Sequence, residues 1–315
     1  MVGAAIQLRL LLAFASIYFI WGSTFLAIRY AIAELPPFTM AGIRFVSAGA
    51  ILYLWRRMAH AERPSWDQWP GALAVGALLF MGGNGAVVWS EQHVASGMTA
   101  LMLGVIPFWM VLLDAARRGG APLTARVLCG LALGVAGIVL LLEPSRLLGG
   151  GQVDPAGAVV LICGGFCWAS GSLVSRHLRQ PASPGLAAGM QMLTGGLVLL
   201  AVGALSGESS RIDPAGFTPR GILALAYLVL AGSVVSFTAY TWLMAVSTPA
   251  RVATYAYVNP LVAVLLGWVL AGEPLTPRTM LATVVIVAAV VIIISSRARG
   301  TPVPVAGPKG NRTIV

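Results

Sequence analysis

Charge is what this chain has least of. Ten acidic and twenty basic side chains are spread over 315 residues, and charged residues make up 10% of the sequence against 58% hydrophobic ones. With a mean hydropathy of +0.88, there is too little polar surface to cover a water-soluble globule of this size, and that class is excluded. The surroundings to expect are a lipid bilayer. Histidine is as scarce, and His60, His93 and His177 all lie at the boundaries of apolar runs. No nucleophile–base pair or metal cluster can be assembled from them, so neither an enzyme nor a metal or other cofactor is expected. Three cysteines, Cys129, Cys163 and Cys167, fall inside apolar segments with no His or carboxylate beside them. They read as packing side chains. The net charge of +10 does not point to nucleic acid, because the bases form short clusters between apolar runs without interleaved aromatics.

What the chain does contain is a long internal repeat. The stretch WGSTFLAIRYAIAELPPFTMAGIRF, Trp21 to Phe45, returns at an offset of 147 as WASGSLVSRHLRQPASPGLAAGMQM. Trp21 meets Trp168, Ser23 meets Ser170, Leu26 meets Leu173, Arg29 meets Arg176, Pro37 meets Pro184, and Ala41-Gly42 meets Ala188-Gly189. Further on, Trp89 and Pro107 match Trp242 and Pro260 at an offset of 153, and Pro122-Leu123-Thr124-x-Arg126 matches Pro274-Leu275-Thr276-x-Arg278 at 152. The chain therefore reads as two related halves, 8–148 and 155–297, joined near Gly149 to Asp154 and followed by a Pro- and Gly-rich tail, 298–315, that is expected to be disordered and cytoplasmic.

Apolar runs separated by Pro, Gly or Arg clusters place ten spans, near 8–28, 38–55, 69–92, 95–114, 123–142, 156–175, 185–206, 220–243, 249–270 and 277–296. The first is too long for a signal peptide and has no small-residue cleavage site after it. Five spans per half is an odd number, so the second half enters the bilayer upside down relative to the first. The expected fold is an all-α integral membrane protein of ten transmembrane helices, arranged as two inverted five-helix repeats. Such repeats are a signature of transporters that work by alternating access. Fourteen Lys and Arg, among them Arg56, Arg57, Arg63, Arg117, Arg118, Arg176 and Arg179, fall on one side of this arrangement. Five, Arg29, Arg146, Arg211, Arg220 and Arg278, fall on the other, which puts both termini in the cytoplasm.

The WGSTF run with its following PP and RF, the Asn84-Gly85 and Glu91 of GNGAVVWSEQHVASG, and TYAYVNPLVAVLLG from Thr254 to Gly267 resemble the EamA family of the drug/metabolite transporter superfamily. Within it they look most like the YedA-type permeases of bacterial inner membranes. The resemblance covers about Leu8 to Arg297. It implies a cavity lined by helices 1 to 4 and 6 to 9, with 5 and 10 peripheral, and export of small metabolites or drugs. One departure is Ala121, which stands before Pro-Leu-Thr where its repeat partner Glu273 is acidic.

Polar side chains within apolar spans are the candidates for substrate contact. Arg44 is foremost, either as an anchor for an anionic group or as a side chain that snorkels or caps helix 1; its repeat partner is the neutral Gln191. Glu91 reads three ways: a protonatable coupling group, the ion partner of Arg44, or a solvated loop carboxylate. It and Asp114 are the only acids expected to be immersed. Leu8 to Arg29 holds no acid, so the first-helix carboxylate of the four-helix multidrug relatives has no counterpart. Trp21 and Thr24 share one helical face, as do Trp168 and Ser172, and the two tryptophans are expected on opposite sides of a central cavity. Asn84, Tyr255, Tyr257 and Asn259 complete the substrate-binding set, the last three beside Pro260, whose ring frees a backbone carbonyl. The expected function is a secondary transporter exporting small organic solutes, with protons as the candidate coupling ion, acting as a monomer or homodimer. The alternative is a facilitator or channel without ion coupling.

Overall fold

The structure, a computed structural model, describes residues 2–59, 63–116, 123–142, 154–213, 216–247, 252–253, 255–297, 305–306 and 312–313. Nearly all of these are helical. In chain order the helices are α1 (Ile6–Ile32), α2 (Pro37–Met58), α3 (Trp66–Ser90), α4 (Ser96–Ala116), α5 (Ala125–Leu142), α6 (Pro155–Val174), α7 (Pro184–Leu205), α8 (Pro219–Val246), α9 (Tyr255–Ala271) and α10 (Pro277–Arg297). Among the described residues, seven of them, α1 to α4 and α6 to α8, are long and apolar enough to cross a membrane, while α5, α9 and α10 carry shorter apolar stretches. The expected spans fall on these helices; the start expected for the ninth, 249–251, lies outside the described residues, and α9 is described from Tyr255. Residues 149–153 at the joint of the two halves, Arg117, Arg118, Ala121, Pro122 and Thr254 lie outside the described residues. So does most of the 298–315 tail, of which Val305–Ala306 pairs with Arg312–Thr313.

Proline opens α2, α6, α7, α8 and α10, where a missing N–H is no loss and the fixed φ suits the first turn. Asp154, Ser183 and Thr218 cap α6, α7 and α8 with their own side chains. The residues before α2 and α4 are Pro36 and Ala95, which have no side-chain acceptor. At these two ends a carboxylate arrives from the other half of the chain. Glu208 accepts from Phe38 N (3.2 Å), Thr39 N (2.7 Å) and Thr39 Oγ1 (2.8 Å). Glu273 accepts from Ser96 N (3.1 Å), Ser96 Oγ (2.6 Å) and Gly97 N (3.2 Å), and also pairs with Arg29. A third acid, Glu34, accepts from Thr218 N (3.0 Å) and from Thr218 Oγ1 at the start of α8. Each contact joins the first half to the second, and all three lie on one face of the bundle. On the opposite face an exposed ion pair, Arg179 Nη1 to Asp67 Oδ2 at 2.7 Å, links the halves.

Helices α2 and α7 lie along each other, close enough that a Cβ on Gly49 would stand 2.6 Å from Leu193 N. Helices α5 and α10 pack mainly against each other at the side of the bundle, as the resemblance implied. Large apolar side chains such as Leu11, Leu205, Leu223 and Val284 point outward, the arrangement expected where lipid is the solvent. Three helices contain π-helical segments: Ser16–Ile20 in α1, Ala77–Asn84 in α3 and Leu228–Val235 in α8. A π turn breaks the i→i−4 ladder and leaves carbonyls in need of other donors. The second and third segments contribute Phe80, Gly83, Asn84 and Gly232 to the lining of the candidate site.

Candidate functional site

A cavity of about 80 Å³ lies between the halves, walled by α1 to α4, α6, α8 and α9. Seven of the expected residues line it: Trp21, Thr24, Arg44, Asn84, Trp168, Tyr255 and Asn259. Phe25, Ile28, Phe45, Phe80, Val87, Leu103, Ile106 and Phe237 supply the apolar remainder. Ser172 is buried behind this wall and bonds Tyr240 Oη at 2.5 Å. Gln191 is buried elsewhere, on a second cavity of about 430 Å³ toward the Arg179 face, where its Nε2 donates to Gln180 Oε1 (3.2 Å). The side chain of Tyr257 lies outside the described residues.

The tryptophan pair departs from expectation. Trp21 and Trp168 do not face each other across a void; their rings meet edge to face with centroids 5.6 Å apart. Tyr240 and Tyr255 join them, with centroids 5.1 and 5.3 Å from Trp21, so four rings form one block. Such pairs are worth roughly 0.5–1.5 kcal/mol each beyond their burial. The block fits together because α3 carries Gly83 where it meets α6: a Cβ there would stand 2.9 Å from Trp168 Cε3. The two residues that the offset of 147 makes equivalent are thus in direct contact. Tyr240 gave no sequence signal, since a tyrosine in an apolar run marks nothing by itself.

Several of the expected polar groups serve the π-helical backbone. Trp21 Nε1 donates to Gly232 O at 2.9 Å, inside the α8 segment. Asn84 Nδ2 donates to Leu79 O at 3.3 Å, inside the α3 segment. With its amide nitrogen facing α1, Asn259 donates to Tyr18 O at 2.8 Å and lies 3.0 Å from Ile17 O.

Arg44 is 3% exposed, which rules out snorkelling. Its Nε donates to Ser233 Oγ at 2.9 Å, its Cζ lies 4.6 Å from the Phe45 ring centroid, and its Nη1 has no hydrogen-bond partner. Glu91 is 6% exposed, and neither of its oxygens has a hydrogen-bond partner. The two are therefore not an ion pair, and Glu91 is not a solvated loop carboxylate. Nor are Glu91 and Asp114 the only candidates for immersion, because Glu208 is 3% exposed and the Glu273 side chain 9%. Both sit just beyond the ends of apolar spans, and the feature that pulls them in is the absence of a polar cap at Pro36 and Ala95.

The similarities to known proteins agree with one another. A family model described as the EamA-like transporter family matches residues 8–143 and again residues 155–295. The chain is 36% identical over 297 residues, 94% of each chain, to the uncharacterized inner membrane transporter YedA of Escherichia coli strain K12. It is 26% identical to a probable amino-acid metabolite efflux pump of the same organism, over 85% of this chain and 88% of that one. A crystal structure with 19% sequence identity superposes with a TM-score of 0.66 over 93% of this chain and 99% of the other, which shows a shared fold.

Proposed function

Because the chain belongs to the EamA-like transporter family, we propose that it exports small organic metabolites or drugs across a bacterial inner membrane by alternating access. The observation that carries this reading is the unequal closure of the central cavity. On the Glu34 face, three carboxylates cross between the halves and tie down helix ends. On the Arg179 face the described residues show an exposed ion pair, a hydrogen bond from Thr194 Oγ1 to Ala72 O at 3.0 Å and a cavity of about 430 Å³. A bundle latched at one face and loose at the other is one end state of a rocking cycle. The relatives' names, an inner membrane transporter and a probable efflux pump, agree with the location and direction.

The reading includes ten crossings in two inverted repeats, 8–148 and 155–297, with both termini cytoplasmic. Supporting it, the family match falls twice along the chain. Equivalent helices α2 and α7, and α5 and α10, lie against each other, as a two-fold between the halves requires. The π-helical segments of α3 and α8 fall at equivalent places. Glu91 is the proposed coupling group: a buried carboxylate without partners is stable only if a proton, water or solute meets it. The acid-free stretch from Leu8 to Arg29 favours the second reading, a facilitator.

Uptake into everted vesicles under a pH gradient separates the two. A coupled exporter accumulates solute against its gradient, and Glu91→Gln abolishes accumulation while downhill exchange persists. Equal accumulation by Glu91→Gln and the wild type would reject Glu91 as the coupling group. Absence of any gradient-driven uptake by the wild type would leave the facilitator.

A further inference from the structure

Two cavities of the bundle share one side chain. Among the described residues Phe237 of α8 alone lines both the central cavity and the larger one of about 430 Å³ toward the Arg179 face. The larger space is a vestibule, walled in part by the exposed Arg176 and Ala182. Leu79 and Phe80 are successive residues of α3, yet Leu79 lines the vestibule and Phe80 the central cavity. At Phe237 the partition between the two is a single ring.

The frame around that ring is anchored, while the ring is held by packing alone. Tyr240, one turn further along α8, donates from Oη to Ser172 Oγ at 2.5 Å, because Ser172 Oγ already donates to Trp168 O at 2.7 Å. The Tyr240 ring also stands against Trp21 and Trp168, with centroids 5.1 and 5.7 Å away. Phe237 meets Phe80 edge to face at 4.9 Å and Tyr240 at 5.8 Å, and its side chain has no polar atom to tie. Rotation about χ1, the ordinary passage between staggered wells, carries the ring toward the vestibule and joins the two spaces.

The first half has no such ring pair. At the offset of 153 that matches Trp89 to Trp242, Phe237 corresponds to Asn84 and Tyr240 to Val87, and both of these line the central cavity. Toward the Glu34 face the halves are held instead by the carboxylates of Glu208, Glu273 and Glu34. The two faces are thus closed by different means, helix-end ties on one and a side chain on the other.

We infer that Phe237 is the gate on the Arg179 face, and that its ring sets the rate and the bulk of what passes between the vestibule and the central cavity. The inference deepens the transporter reading and rests on it only for the movement of solute; the gate itself concerns access.

The test is access to Asn84→Cys on the wall of the central cavity, in the full chain with Cys129, Cys163 and Cys167 replaced by Ala and reconstituted in oriented vesicles. Sulfonatoethyl methanethiosulfonate, which is impermeant, is applied from the Arg179 face and the labelling rate is read. Phe237→Ala should raise that rate at least about tenfold, because entry no longer waits on moving a buried ring, and should leave the rate from the Glu34 face unchanged. Phe237→Leu, which keeps apolar volume and guards against misfolding, should raise it less. A bulkier maleimide carrying a stilbene disulfonate should gain more from Phe237→Ala than the small reagent does. Phe45→Ala removes an equally buried ring from the central wall alone and should leave the rate unaltered. Unchanged rates in both Phe237→Ala and Phe237→Leu, an equal rise in Phe45→Ala, or a gain no larger for the bulky reagent would each overturn the inference. Solute movement is read separately in the same vesicles. Faster labelling of Phe237→Ala with no solute moved by the wild type refutes the transporter and keeps the gate, while unaltered labelling beside intact transport does the reverse.

Discussion

Arg44 shows how much a single residue can and cannot disclose. A lone arginine inside an apolar run marks a polar interior, and that much was legible. Whether it snorkels, pairs or points into a cavity depends on Ser233, 189 residues away, and on nothing near it in the chain. The tryptophans were legible as a pair through the repeat. Their mutual contact was not, because an offset says that two residues are equivalent and not how close the axis brings them. Two predictions belong at this scale. Trp21→Phe keeps a ring but abandons Gly232 O, so transport should fall several-fold with expression nearly intact, measured by uptake against fluorescence-detected membrane yield. Asn259→Leu releases the α1 carbonyls and should lower thermal stability by roughly 0.6–1.7 kcal/mol, the range for interhelical hydrogen bonds in membranes. An unchanged melting temperature for Asn259→Leu would mean that the π-helical turn is held by packing alone.

At the level of elements, the instructive feature is which helix ends need help. Self-capped ends at Asp154, Ser183 and Thr218 were readable from Pro at the first helical position and a polar residue before it. The ends at Pro36 and Ala95 are equally readable as uncapped, yet nothing local names Glu208 or Glu273 as the remedy. Glu208→Ala removes three hydrogen bonds at the start of α2 and should destabilise by about 1–3 kcal/mol. Acid should act on the exposed link at Glu34. Hydrogen bonds from Thr218 Oγ1 and N hold the Glu34 carboxyl below its usual carboxylate value. A depressed carboxylate contributes stability above its ordinary value, near 4, and loses that contribution as the pH falls through its folded value. The gap in melting temperature between the wild type and Glu34→Gln should thus be present at neutral pH and close below about pH 4. A gap that closed between pH 5 and 7 would assign the titration to some other group.

For the whole molecule, the apolar runs carried the helix positions, the repeat carried the cavity between the halves, and the family resemblance carried the peripheral place of α5 and α10. What it could not convey is the asymmetry. The second half supplies Glu273 to the Glu34 face, whereas the equivalent position in the first half is Ala121. The Glu273 tie is therefore written into one half only. In the alternating-access cycle proposed above, such an asymmetry would give the two end states different energies, and removing the Glu273 tie would shift their populations. The orientation rests on the charge count, and a reporter fused after Arg297 should be cytoplasmic.

The central claim is that one cavity is reached alternately from two faces. It is tested most directly by thiol labelling of Asn84→Cys, with Cys129, Cys163 and Cys167 replaced by Ala, using an impermeant reagent from either side of oriented vesicles. Labelling should be fast from the Arg179 face and slow from the Glu34 face, and adding Glu273→Ala should raise the slow rate while lowering the fast one. If both rates rise together, the cavity is open to both sides at once and the account is wrong.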